Sequence, residues 1–85
     1  MTYAEERVAA EMGRVLLALF RAGMQVRVWP DALKGHASVR IVAGPGAKRA
    51  APRSASGSGD SPLAAIYAAV ERLNDRAGAI VVAID

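Results

Sequence analysis

Apolar residues recur at helical spacing over residues 3–22. At about 100° per residue, Ala4, Val8, Met12, Val15, Leu16 and Leu19 share one face, and this predicts an amphipathic helix. Arg7, Glu11, Arg14 and Arg21 are expected opposite that face, with Arg7–Glu11 and Glu11–Arg14 spaced for weak pairing. Thr2 followed three residues later by Glu5 is a capping-box pattern, and Gly23 suits the stop. Leu17 and Phe20 widen the apolar face beyond one stripe, which is expected either of a helix set deep in the fold or of one with a dimer or partner surface.

The period then changes from helical to two. Met24 to Trp29 alternates, with Met24, Val26 and Val28 on one side and Gln25, Arg27 and Trp29 on the other. Pro30 and Asp31 begin a turn that Gly35 helps to close. His36 to Ala43 alternates again, and the two runs predict an antiparallel hairpin. Residues 44–59, GPGAKRAAPRSASGSG, contain no large apolar residue and read as a long loop. Asp60 or Ser61 can cap a second helix that Pro62 opens, with Leu63, Ile66, Val70 and Leu73 as its buried stripe and Tyr67 beside them. Ala79 to Ile84 is apolar on both faces and reads as a buried strand.

These elements predict an α+β fold: one small two-layer domain over residues 1–85, in the order α-β-β-α-β. Its three-stranded sheet would carry both helices on one face. The other face would present Gln25, Arg27, Trp29, His36, Ser38, Arg40, Val42, Val81 and Ala83, a mixture unlike an ordinary solvent face. At 85 residues the core is thin, which makes a homodimer an expected state.

Charge sharpens the picture. The net charge is +3, but residues 24–59 hold Arg27, Lys34, Arg40, Lys48, Arg49 and Arg53 against Asp31 alone. An anionic partner should meet this middle third first. The absence of cysteine excludes a disulfide scaffold, a thiol nucleophile and any Cys-based metal site, and one histidine excludes a multi-His site within a single chain. No cofactor or metal is expected. The acidic start and the short apolar runs argue against a signal peptide or a membrane span, so a cytoplasmic protein of a bacterial host is expected. Arg and Ala bias suggests a GC-rich bacterial or phage genome.

Enzymatic chemistry finds little support. His36 has no nucleophile-elbow sequence to serve, and Asp31, Asp60, Asp75 and Asp85 fall at the ends of elements, where caps and turns account for them. The Gly-rich stretch before the second helix lacks the phosphate-loop pattern, and Asp60 sits where a phosphate would go. Two non-enzymatic classes remain. Arg27, Trp29 and Arg40 on a sheet face, extended by Lys48, Arg49 and Arg53, could stack a base and neutralise phosphates. The same residues could dock on an acidic protein surface, with arginine forks taking carboxylates and Trp29 as anchor. Trp29 can equally pack at the sheet edge against Leu33 or the long loop.

The run from Ser54 through Asp60-Ser61-Pro62 to Val70 places a Gly and small-residue stretch before an Ala-rich helix. In pattern it resembles small phage and prophage proteins, some anti-CRISPR proteins among them. The resemblance covers about a fifth of the chain and carries no functional residue across. It implies a non-enzymatic inhibitor that binds a bacterial protein or ribonucleoprotein complex and acts by occlusion. Direct nucleic-acid binding and a structural homo-oligomer built on Leu17 and Phe20 are the alternative expectations.

Overall fold

The computed structural model describes residues 2–30, 36–49 and 51–84, and its first element begins on the expected cap. Helix α1 spans Tyr3–Arg21. The Thr2 hydroxyl accepts from the Glu5 amide at 3.2 Å, and the Glu5 carboxylate accepts from the Thr2 amide at 3.2 Å, so two free amides are satisfied reciprocally. The helix stops at Ala22, and Gly23 turns the chain at φ 73°. A Cβ on Gly23 would also meet the Gly46 carbonyl carbon at 2.3 Å, so only glycine fits this turn.

Three strands follow: β1 (Met24–Pro30), β2 (Ala37–Ala43) and β3 (Ser54–Gly59). They form one antiparallel sheet in the order β1-β2-β3. Val26 faces Ile41 and Val28 faces Val39 across the first pair; Ile41 faces Ala55 and Val39 faces Gly57 across the second. Helix α2 (Pro62–Ala77) then starts on Ser61, whose hydroxyl accepts from the Ala64 amide at 3.1 Å, and ends on left-handed Gly78. Val15 and Leu19 of α1, Val39 and Ile41 of β2, and Ile66 and Leu73 of α2 are all essentially inaccessible and belong to one core. Each such side chain stabilises the fold by about 1.5–3 kcal/mol.

The element order is thus α-β-β-β-α, not α-β-β-α-β, and two readings account for the difference. Residues 54–59 of the expected loop are strand β3. Their sequence, SASGSG, lacks the large side chains that mark a strand, because α2 lies directly against them. A Cβ on Gly57 would stand 2.4 Å from the Ala69 amide nitrogen and 2.5 Å from the Ala65 carbonyl oxygen. Residues 79–84 form no strand. The Asn74 side chain takes their backbone groups instead: its amide oxygen accepts from Val81 and Val82 at 2.8 and 3.0 Å, and its NH2 donates to the Val82 carbonyl at 3.1 Å. The tail becomes a strap that buries Val82 and leaves Ile80 76% exposed.

Two helix readings are also corrected. Only Val15, Ala18 and Leu19 of α1 are buried; Ala4 and Val8 are exposed because the helix runs past the core, Leu16 because it faces away from it, and Thr2 to Ala10 are all accessible. Glu11 is not on the solvent side. It is half-buried and accepts from the Tyr67 hydroxyl at 2.6 Å, joining α1 to α2. On α2, Ala65 and Ala69 join Ile66, Val70 and Leu73 inside, while Leu63 is half-buried. The turn expected over Asp31–Gly35 and a Trp29–Leu33 contact lie outside the described residues.

Gly57→Ala should cost about 3 kcal/mol or more, since the obstructing atoms are backbone and no rotamer change relieves them; urea unfolding of the variant measures this. The Tyr67–Glu11 bond predicts a pH dependence. The Glu11 hydrogen bond, then burial, raises the Tyr67 pKa above 10.0. A folded value above the unfolded one means the folded state holds the proton more tightly. The stabilisation is complete below about pH 10 and is lost as pH rises through that value toward the folded one. Tyr67→Phe should remove this alkaline loss, as read from thermal melts between neutral and strongly alkaline pH.

Candidate functional site

Alternation along the three strands sends every second residue away from the core. On that side, the register builds three cross-strand rows: Trp29–Ser38–Ser58, Arg27–Arg40–Ser56 and Gln25–Val42–Ser54. None of the nine is buried, and none is a carboxylate. Arg27 and Arg40 stand directly opposite each other, so two like charges share the middle row. Such a pair destabilises a sheet unless something anionic lies over it. Neither guanidinium has a salt bridge among the described residues. On the β3 side the neighbours are serines, too short to cover the arginines and able to donate hydroxyl hydrogen bonds.

Helix α2 adds charge at the free edge of β3. Arg76 donates to the Ser54 carbonyl at 2.9 Å, satisfying an edge acceptor. Arg72, one turn earlier, lines a hollow of about 250 Å³ with Trp29, Ser38, Ser56 and Ser58. Trp29 also borders a second hollow of about 360 Å³ at the end of the sheet, formed with Val28, His36, Ala37, Asp60, Ser61 and Pro62. Trp29 is 44% exposed, which leaves part of its ring accessible.

The residues expected to form the contact set are only partly brought together. Arg27, Trp29 and Arg40 share the open face. Arg53 is exposed just before β3, where its carbonyl accepts from Ala43 at 2.8 Å, so it adjoins the Gln25–Val42–Ser54 row. Arg49 is exposed in the β2–β3 connection. Lys48 is set apart: it lines a different hollow with Arg21, Ala22 and Val81, beside the end of α1 and the C-terminal strap. Leu17 and Phe20 are 46% and 79% exposed on α1. Val81 and Ala83, expected on the sheet face, are absent from the sheet; Ser54, Ser56 and Ser58 stand in their place. The sequence reading missed these serines and Arg72. The alternation of Ser54, Ser56 and Ser58 with Ala55, Gly57 and Gly59 was the available signal.

The face offers two arginine forks, serine hydroxyls and an aromatic surface. Among the described residues, no three His, Cys, Asp or Glu side chains come together, and no helix is long and apolar enough to cross a membrane. No protein-family model matches the chain, and no curated protein or solved structure shows significant similarity to it. Fold and face together define the class: a small α+β domain with one open, positively charged antiparallel sheet surface.

Because Arg27 and Arg40 repel each other, Arg40→Ser should leave folding stability unchanged or raise it by up to about 1 kcal/mol. The gain should shrink as salt is added. Chemical denaturation at low and high ionic strength checks both statements.

Proposed function

We propose that the protein is a non-enzymatic binding module that holds single-stranded nucleic acid across its open sheet face. The observation that carries this reading is the opposed Arg27–Arg40 pair, whose repulsion a phosphate backbone over the middle row would relieve. The remaining groups fit the same ligand. Trp29 supplies a stacking surface for a base. Ser56 and Ser58 offer hydroxyls beside the arginines, and Arg72 and Arg53 extend the positive track along the β3 side. An open sheet suits a single strand, whose bases can splay onto a flat surface, better than a groove-reading helix would.

A second reading keeps the face and changes the partner. Arginine forks accept carboxylates as readily as phosphates. The apolar hollow bordered by Val28, Trp29, Ala37 and Pro62 favours a protein surface with an apolar anchor. In that reading the chain occludes a bacterial protein or ribonucleoprotein complex, as an anti-CRISPR inhibitor would, within the bacterial cytoplasm.

Fluorescence anisotropy with mixed-sequence single-stranded oligonucleotides across a salt titration separates the two. The expected result is binding that weakens steeply with salt and quenches Trp29 emission, with Arg27→Ala/Arg40→Ala reducing the salt slope by about two phosphate contacts. Lys48→Ala, placed away from the face, should change affinity far less. No binding at low salt, where the electrostatic contribution is largest, rejects the nucleic-acid reading and leaves the protein-docking one.

A further inference from the structure

Helix α1 is apolar on two opposed sides. Val15, Ala18 and Leu19 enter the core. On the far side, Ala9, Gly13, Leu16, Leu17 and Phe20 fall within about 100° of arc, with Glu6 at its N-terminal end; all are exposed, and Leu17 borders Ala83 of the C-terminal strap at the edge of the stripe. Leu16 is 41% exposed, Leu17 46% and Phe20 79%. Gly13 has nothing within 4 Å of where a Cβ would stand. Glycine inside a helix is destabilising relative to alanine, and here the monomer derives no contact from it. The stripe is also graded. Its N-terminal half is small (Ala9, Gly13) and its C-terminal half is bulky (Leu16, Leu17, Phe20). Charge is graded the same way, with Glu5 and Glu6 in the first turn and Arg21 in the last.

We propose that this face docks a second copy of the chain, α1 against α1 in antiparallel orientation about a two-fold axis near Gly13. A two-fold interface must be self-complementary, and these gradients make it so only when the helices run in opposite directions. Leu17 and Ala9 each lie four positions from Gly13, and Arg21 and Glu5 each lie eight. The antiparallel pair therefore sets each Leu17 on the partner copy's small residue and each Arg21 beside the partner copy's acidic turn. Gly13 lets the two backbones approach where they cross. A parallel pair would stack bulk on bulk and like charge on like charge. Docking on the outer side of α1 leaves the sheet face of each copy open. The dimer thus presents two positively charged faces, which raises avidity for a long polyanion without any new contact.

Sedimentation or light scattering of the full chain at tens of micromolar should give a dimer. Phe20→Glu should weaken association about tenfold or more, with the far-UV circular dichroism of the fold retained because Phe20 packs on the surface. Disulfide trapping then reads the orientation, since the chain has no cysteine of its own. In an equimolar mixture of Ala9→Cys and Leu17→Cys chains, mild oxidation should join the two different variants by a mixed disulfide in preference to either homodisulfide. A monomer at these concentrations, a dimer that Phe20→Glu leaves intact, or predominant homodisulfides would each overturn the proposal.

Discussion

The close approach of α2 to β3 sets the rest of the structure. Gly57 has no side chain because the α2 backbone at Ala65, Ala68 and Ala69 occupies the place of a Cβ. Ala55 on the strand and Ala65 and Ala69 on the helix are the next smallest choice, and all three are buried. With so little thickness between helix and strand, the helix reaches the central strand, and Ile66, Val70 and Leu73 pack on Val39 and Ile41 from one side. The contact trades side-chain bulk for proximity, and it makes a strand of a segment with almost no β-propensity of its own.

The thin core has consequences at both ends of the chain. Helix α1 is longer than the sheet can support, so its first half stands clear and its outer stripe stays apolar and accessible. The Tyr67–Glu11 bond is a side-chain tie between the helices, at the point where α1 leaves the core. The C-terminal tail is held by Asn74, whose one amide satisfies three backbone groups of Val81 and Val82. That substitutes for a sheet ladder and lets Val82 close the core without a fourth strand.

Charge is arranged against stability on the open face. Two arginines face each other across β1 and β2, the β3 side offers only serines, and Arg72, which lines a hollow with Trp29, Ser56 and Ser58, is also positive. A surface chosen for solubility alone would intersperse signs. The same three strands that place core residues on one side place these residues in register on the other. The face is therefore rigid in spacing, even though it is costly in electrostatics.

Much of this was legible in the chain before any tertiary structure. The caps at Thr2, Glu5, Ser61 and Pro62, the stop at Gly23, and the alternation that puts Arg27, Trp29 and Arg40 on one side of a hairpin are local. Each follows from backbone hydrogen bonds or from the two-residue strand period, and each is found in place. What only the tertiary structure decided involves small or ambiguous residues. Ser54–Gly59 carries no hydrophobic period, and its strand character comes from pairing with β2 under α2. Ala79–Ile84 is apolar enough for a strand, yet Asn74, within the preceding helix, claims its backbone first. Glu11 looks like a solvent residue until Tyr67, 56 positions away, comes beside it. Local signals specify elements because their partners lie within a few residues; which elements meet is settled by contacts between distant positions, and glycine and alanine reveal those only once their neighbours are in place.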